Sequence, residues 1–224
     1  MVREHSPGTL WYKGGGAMGS SHPRRRDLMT AVAPILVLLC VLVVILVREK
    51  RRRRVSVIAA PRFGTLNLKG ADGEALVEAD TRALQSVLGV AERSTLIPLK
   101  CDVLFVYCDI SSDGRIATSG MSLGDLVRSS GATILVVASE NPGPMYIACN
   151  KTGPFGRVNL VMTLNRRGER FARFFTRLFE DMKRGTSMPL AWVKLASQNP
   201  NVDDPEVPGT IFACMAGQVS FRAS

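Results

Sequence analysis

Apolar positions between residues 55 and 224 recur in two patterns, short continuous runs and helical stripes, which alternate along the chain. Continuous apolar runs are typical of strands that are buried on both faces. They predict buried strands at 102–109, 132–138 and 159–164, a further short strand at 146–149 after the breaker at 141–144, and a closing strand at 210–221.

Helical stripes lie between these runs. The clearest predicts a helix over 171–182, where six apolar residues recur at helical spacing on one face: Phe171, Phe174, Phe175, Leu178, Phe179 and Met182. A helix is also predicted over 74–88, with Leu76, Ala79, Ala83 and Val87 on one side. Strands that alternate with helices predict an α/β domain, with a mostly parallel sheet and helices on both faces.

Two shorter helices complete the pattern. Ser122 can cap a short helix that Gly131 ends, because a hydroxyl accepts from the first free backbone N–H groups and glycine tolerates the left-handed conformation at a helix end. After a turn at 185–187, a second helix has Pro189 in its first turn, with Trp192 and Leu195 facing inward.

A different pattern precedes the domain. Residues 28–47 include no charged side chain, and as a helix they would extend about 30 Å, the thickness of a bilayer's hydrocarbon core. This run predicts a single transmembrane helix, with a disordered segment at 1–27 before it and a basic juxtamembrane stretch at 48–54 after it. Seven Lys/Arg flank its carboxyl side and four its amino side, which predicts a signal anchor with a cytoplasmic domain at 55–224.

The distribution of charge along the chain limits the classes of partner that the protein could bind. The formal net charge is +10, but residues 1–54 carry 11 Lys/Arg against 3 Asp/Glu, whereas residues 55–224 carry 18 against 16. The basic stretch therefore fits anionic lipid headgroups, contacted through residues 28–54, better than nucleic acid. Both histidines, His5 and His22, precede residue 55, which excludes Ser-His-Asp triads, Cys-His dyads and histidine-ligated zinc from the domain.

The sequence indicates no cofactor and no metal. The cysteines of the domain lack the C-x-x-C spacing of a zinc site, and no glycine-rich phosphate loop is present. Asp109, Ser111, Asp113 and Gly114 match the first half of a calcium loop, but Gly120 occupies the place of the bidentate glutamate. We therefore expect a turn after a strand.

The order of elements over residues 101–198 resembles the caspase-like peptidases of the CHAT type. The resemblance is best where the strand NLVMTL is followed by GERFARFFTRLFEDMKRGTSMPLAWVKLA, which looks like the helix, glycine-containing turn and second helix of the CHAT tail. In that family one strand ends in His-Gly and the next in Ser-Ala-Cys, which together give the catalytic dyad. Here Asp109 stands at the histidine position and Ser139 at the cysteine position; a rival alignment places Cys149 there.

The resemblance implies a pseudo-peptidase, since the histidine is absent. We expect a membrane-anchored, non-catalytic domain that acts as a scaffold or sensing partner for another protein. One alternative is a hydrolase with a Ser or Cys nucleophile and unconventional groups, either Asp109 and Asp113 beside Ser139 or a Ser139–Lys151 pair. Another is a small-ligand binding module whose pocket is formed by the loops 110–121 and 139–157.

Overall fold

The computed structural model describes residues 41–43, 56–151, 156, 158–164, 166, 168–197, 211–215 and 217–222. Two compact units are distinguished, residues 1–49 and residues 50–224. In the first, residues 41–43 are helical and about half exposed. The strands of the second are β1 (Ser56–Ile58), β2 (Phe63–Asn67), β3 (Glu92–Ser94), β4 (Val103–Tyr107), β5 (Ile134–Val137), β6 (Asn159–Thr163), β7 (Ile211–Met215) and β8 (Val219–Phe221). Its helices are α1 (Ala71–Leu88), α2 (Leu123–Ser130), α3 (Gly143–Lys151), α4 (Glu169–Lys183) and α5 (Met188–Ser197).

Six strands form one sheet in the order β3-β2-β4-β5-β6-β7. All neighbours pair parallel except β6 and β7, which pair antiparallel, and β1 pairs parallel with β8 in a separate two-stranded sheet. The chain starts the large sheet at β2, adds β3 on one side, and then crosses to add β4 on the other. The strand order therefore reverses between β2 and β4, at the place where open α/β sheets present their loops for function.

Helices cover both faces of this sheet. Alternate residues of β4 belong to two separate buried clusters: Phe105 packs with the aromatic stripe of α4, whereas Leu104 packs with residues of α2 and α3. All six predicted stripe residues of α4 are buried, and Phe105 makes edge-to-face contacts with three of their rings, those of Phe171, Phe175 and Phe179. The prediction of an α/β domain with a mostly parallel sheet is confirmed.

The transmembrane prediction for residues 28–47 is corrected. Among the described residues, no helix is both long enough and apolar enough to cross a membrane. The longest, α1, has 18 residues but exposes charged side chains such as Glu74, Glu78 and Arg82. Residues 41–43 are the only part of the predicted span that is described, and the rest of it, with the segments predicted at 1–27 and 48–54, lies outside the described residues. The described residues therefore do not support the predicted single-pass topology.

Three further predictions are corrected. The segment 146–149 lies in helix α3, because Pro144 fits the first turn and Tyr146 and Cys149, three residues apart, share its buried face. The closing strand is divided into β7 and β8 near Gly217, whose N–H donates to Asn159 Oδ1 at 2.8 Å. The core face of α1 is rotated from the predicted stripe: Ala79 is exposed, and the buried residues are Gly73, Val77, Asp80, Leu84, Val87 and Leu88.

Candidate functional site

The carboxyl ends of β4 and β5 lie side by side at one edge of the sheet. The ladder between these parallel strands ends where the Ala138 N–H donates to the Val106 carbonyl at 2.9 Å. Beyond that point the backbone N–H and carbonyl of Cys108 are hydrogen-bonded to side chains instead. Asp109 and Ser139 each lie two residues after the end of their strands, which places both predicted positions at one edge of the sheet.

The Ser139 hydroxyl takes the place of the missing ladder. It accepts from the Cys108 N–H at 2.9 Å and donates to the Cys108 carbonyl at 2.6 Å, and the residue is 1% exposed. Its one proton is therefore held by a backbone carbonyl, and a lone pair is engaged by a backbone N–H. The Ser139 hydroxyl thus links the ends of β4 and β5 by hydrogen bonds, and its oxygen is not free to attack a substrate.

Asn141 and Tyr146 extend this connection to β6. The Asn141 amide accepts from Ile110 N–H at 2.8 Å and donates to the Cys108 carbonyl at 3.1 Å. The Tyr146 hydroxyl lies within 2.9 Å of the Ser139 carbonyl and 3.1 Å of the Thr163 carbonyl, and burial raises the pKa of this phenol. Asn141 is 5% exposed and Tyr146 1%. We call Ser139, Asn141 and Tyr146 the strand-end network.

Asp109 points the other way, toward β2. Its carboxylate accepts from Lys69 Nζ at 2.7 Å, and its side chain is 58% exposed. The position that the resemblance aligns with the family's histidine therefore holds an acid, in a surface ion pair with Lys69, two residues after the end of β2. The two predicted positions share an edge of the sheet, but Asp109 engages β2 and Ser139 engages the β4 backbone.

The loop after Asp109 is held firmly against α3. Gly114 adopts a φ of +79°, and a Cβ there would lie 2.4 Å from the α3 backbone at Ala148 and Cys149. Within the loop, Ser111 Oγ donates to Asp113 Oδ1 at 2.5 Å, and the Gly114 N–H donates to the Ser111 carbonyl at 2.9 Å. The predicted turn is confirmed. The loop 110–121 and the described part of 139–157, predicted as the walls of a ligand pocket, are packed closely together here at Gly114 and Ala148–Cys149, and residues 152–155 and 157 lie outside the described residues.

The rival nucleophile Cys149 is fully buried. It packs in the same apolar cluster as Cys108, and burial raises the pKa of the Cys149 thiol to about 11. Burial likewise raises the pKa of Cys108 to about 12. At neutral pH only about one part in ten thousand of a thiol with a pKa near 11 is the reactive thiolate.

The structure does not bring together the unconventional acid-base pairs. Lys151 is exposed at the last residue of α3, whereas Ser139 is buried with its hydroxyl on Cys108. Asp113 is exposed, and the Ser111 hydrogen bond lowers the pKa of its carboxyl. Its carboxylate is thus used within its own turn.

A buried charged cluster was missed by the sequence reasoning. Asp80 of α1 is 0% exposed and receives the Tyr107 hydroxyl at 2.7 Å and Arg166 Nη1 at 2.8 Å. Arg166 also lies 4.1 Å above the Phe171 ring and borders a cavity of about 600 Å³ between α1 and α4. The sequence does contain one sign of this cluster: Asp80 lies three residues after Val77 and four before Leu84, so it falls on the buried face of α1. We interpret the cluster as structural, because each charge has its partner within the fold.

Within the described residues, no group of three or more His, Cys, Asp or Glu side chains is placed to hold a metal ion. No protein-family model, no curated protein and no solved structure matches the chain.

Proposed function

We propose that residues 56–222 form a non-catalytic domain of the caspase-like, CHAT type that acts by binding a protein partner, as a scaffold or sensor. One observation carries the proposal: the hydroxyl of Ser139, at the strand end where the family places its nucleophile, is buried and hydrogen-bonded in both directions to the Cys108 backbone. The adjacent position, Asp109, is an acid in an ion pair and supplies no imidazole base.

The same edge of the sheet offers a preorganised surface for a partner. We define the carboxyl-end surface as the exposed residues of the 109–120 loop together with Pro144, Ile147 and Asn150 of α3. The loop is internally fixed, because the Ile116 N–H donates to the Met121 carbonyl at 2.9 Å and Arg115 Nη1 donates to the Gly120 carbonyl at 2.9 Å. A surface that is already ordered loses less conformational entropy when it binds.

Activity-based labelling tests the absence of catalysis. The full chain is treated at neutral pH with a fluorophosphonate probe for serine and an iodoacetamide probe for cysteine, and the sites are identified by peptide mapping. We expect Ser139 and Cys149 to stay unlabelled in the folded protein, and Cys149 to become labelled in denaturant. Stoichiometric labelling of native Ser139 that disappears in Ser139→Ala would show an enzyme and end the proposal.

Site-specific crosslinking tests the binding role. A photo-crosslinking residue is placed at Ser112 and, separately, at Ile147, both on the carboxyl-end surface; Leu190, which is 62% exposed on α5, is the matched control position. We expect the first two positions to crosslink the same protein and Leu190 not to. The purified partner must then bind the full chain saturably and lose affinity when Asp113→Arg alters the surface. A partner that crosslinks equally from all three positions, or ignores Asp113→Arg, contradicts this placement.

A further inference from the structure

A second cavity lies between β2, β3, the residues that follow β3, and the first turns of α1. It has a volume of about 380 Å³, within the range of roughly 300–1,000 Å³ that is usual for small-molecule sites. Its walls are formed by Thr65, Asn67, Glu74, Val77, Arg93, Ser94, Thr95 and Leu96. The register of the parallel pair β2–β3 places Thr65 opposite Arg93, so their side chains share the face that α1 covers.

The floor of this cavity carries a polar group that the fold leaves unused. Thr65 is 1% exposed, and its hydroxyl has no hydrogen-bond partner among the described residues. Such a hydroxyl destabilises a folded protein, since it has lost its hydrogen bonds to water without replacement. Asn67, two residues along the same face, is 6% exposed, and its amide is engaged within the fold: Nδ2 donates to the Gly70 carbonyl at 2.8 Å and to Glu74 Oε2 at 3.3 Å, and Oδ1 accepts from the Lys69 N–H at 3.1 Å.

The mouth of the cavity carries one acid and one base. Arg93 Nη2 of β3 donates to Glu74 Oε1 of α1 at 2.5 Å, and the two side chains are 44% and 58% exposed. An ion pair this exposed contributes little to stability, so its partners can be exchanged for those of a ligand at small cost. The pair presents a carboxylate and a guanidinium a few ångströms apart, which matches a molecule with both charges.

We propose that this cavity binds a small zwitterion of the free α-amino acid class, with a polar side chain. The ligand ammonium meets Glu74, its carboxylate meets Arg93, and its polar side chain reaches the Thr65 hydroxyl on the floor. The charged side chains of the walls sum to zero, which disfavours a simple anion or cation. None of the wall residues is aromatic, so the cavity offers no aromatic ring on which a nucleobase could stack. The inference goes beyond the proposed function and does not depend on the absence of catalysis at β4 and β5.

Calorimetric titration of the full chain with L-glutamine tests the proposal. The comparison ligand is glutamine with an acetylated amino group and an amidated carboxyl group, which keeps the side chain but removes both charges. We expect saturable binding of L-glutamine and none of the blocked compound. Glu74→Gln and Arg93→Gln should each weaken binding at least tenfold, because each removes one ionic partner. Both residues are partly exposed, so these variants are expected to fold, which circular dichroism checks.

Thr65→Val gives the sharper test, because it removes only the hydroxyl from the floor. The loss of one hydrogen bond should weaken L-glutamine binding about fivefold. Thr163→Val is the matched control: Thr163 is 0% exposed, its hydroxyl also lacks a partner, and it lies on β6 away from the cavity walls. Its affinity should equal that of the wild type. The proposal is overturned if L-glutamine does not bind, if the blocked compound binds equally well, or if affinity is unchanged in both Glu74→Gln and Arg93→Gln.

Discussion

Replacement of Ser139 by alanine separates a structural serine from a catalytic one. The substitution removes both hydrogen bonds to Cys108, at 2.9 Å and 2.6 Å, from a site that is 1% exposed. The Cys108 carbonyl keeps the Asn141 amide at 3.1 Å, but its N–H is left buried without the hydroxyl. A typical hydrogen bond contributes about 1 kcal/mol, and a buried donor left unsatisfied costs about 1–3 kcal/mol. We expect Ser139→Ala to lower the free energy of unfolding by about 2–3 kcal/mol.

Urea unfolding of the full chain, followed by circular dichroism, measures this change. The midpoint should fall while the dependence on denaturant stays constant, because the surface exposed on unfolding is the same. For a domain of this size the loss corresponds to about 4–12 °C in Tm. Ser112→Ala is the control, since this serine is exposed in the loop, and its effect should stay within about 0.5 kcal/mol.

Asn141 provides an internal check on the mechanism. Ser139 and Asn141 both donate to the Cys108 carbonyl, so each single variant leaves that oxygen one side-chain partner. The double variant Ser139→Ala with Asn141→Ala removes both partners, and its loss in free energy of unfolding should exceed the sum of the two single losses by about 0.5–1 kcal/mol. If the free energy of unfolding of Ser139→Ala lies within about 0.5 kcal/mol of the wild-type value, or if the two single losses simply add, the Ser139 hydroxyl does not hold the strand ends together.

The remaining predictions concern packing, charge and pH. Gly114→Ala should cost at least about 2 kcal/mol in urea unfolding, because its Cβ would meet the α3 backbone at 2.4 Å and its φ is +79°; an unchanged midpoint would contradict this packing. Asp80→Asn should cost about 3–5 kcal/mol by leaving the Arg166 charge unpaired, and Asp80→Asn with Arg166→Gln should recover part of that loss; no recovery would place the cost elsewhere. Thr163→Val should raise the free energy of unfolding by about 1 kcal/mol, because an unpaired buried hydroxyl is removed, and a loss of stability would reveal a partner for it. Burial raises the pKa of Cys108 to about 12. The preference of the folded state for the protonated thiol contributes fully to stability below the unfolded pKa of about 8.5, and the free energy of unfolding falls by about 1.4 kcal/mol per pH unit above it. The loss of stability between about pH 8.5 and about pH 10.5 should therefore be smaller in Cys108→Ala than in the wild type.

Features set by local pattern could be predicted, and features set by long-range contact could not. The stripe of α4 and the ends of α2 follow from spacing and caps: Ser122 accepts from the Asp125 N–H at 3.0 Å, and Gly131 adopts a left-handed φ of 74°. The strands β1 and β3 have only three residues each and are mainly exposed, so they leave no apolar run to detect. The buried pair Asp80–Arg166 joins residues 86 apart in sequence, which no local pattern reports.

The candidate site shows the same division. The alignment located Asp109 and Ser139, and the parallel pairing of β4 with β5 brings their positions to one edge. What each side chain does there depends on partners far along the chain: Lys69 is 40 residues from Asp109, and Cys108 is 31 from Ser139. Helix α3 was mistaken for a strand because its buried face, carried by Tyr146 and Cys149, is too short to show a helical period.

The strand-end network gives a physical reason why the Ser139 hydroxyl is not free to act as a nucleophile at this edge of the sheet. Where a parallel ladder ends, the next backbone N–H and C=O groups need new partners, and in a buried position only side chains can supply them. A nucleophile at such an end must leave its oxygen or sulfur exposed and beside a base, so other residues must satisfy the backbone. Here Ser139 and Asn141 satisfy it themselves, and Tyr146 closes the edge above them. Restoring a nucleophile would therefore require new backbone partners as well as a histidine, and Asp109→His alone should produce no peptidase activity, which a fluorogenic peptide library would test.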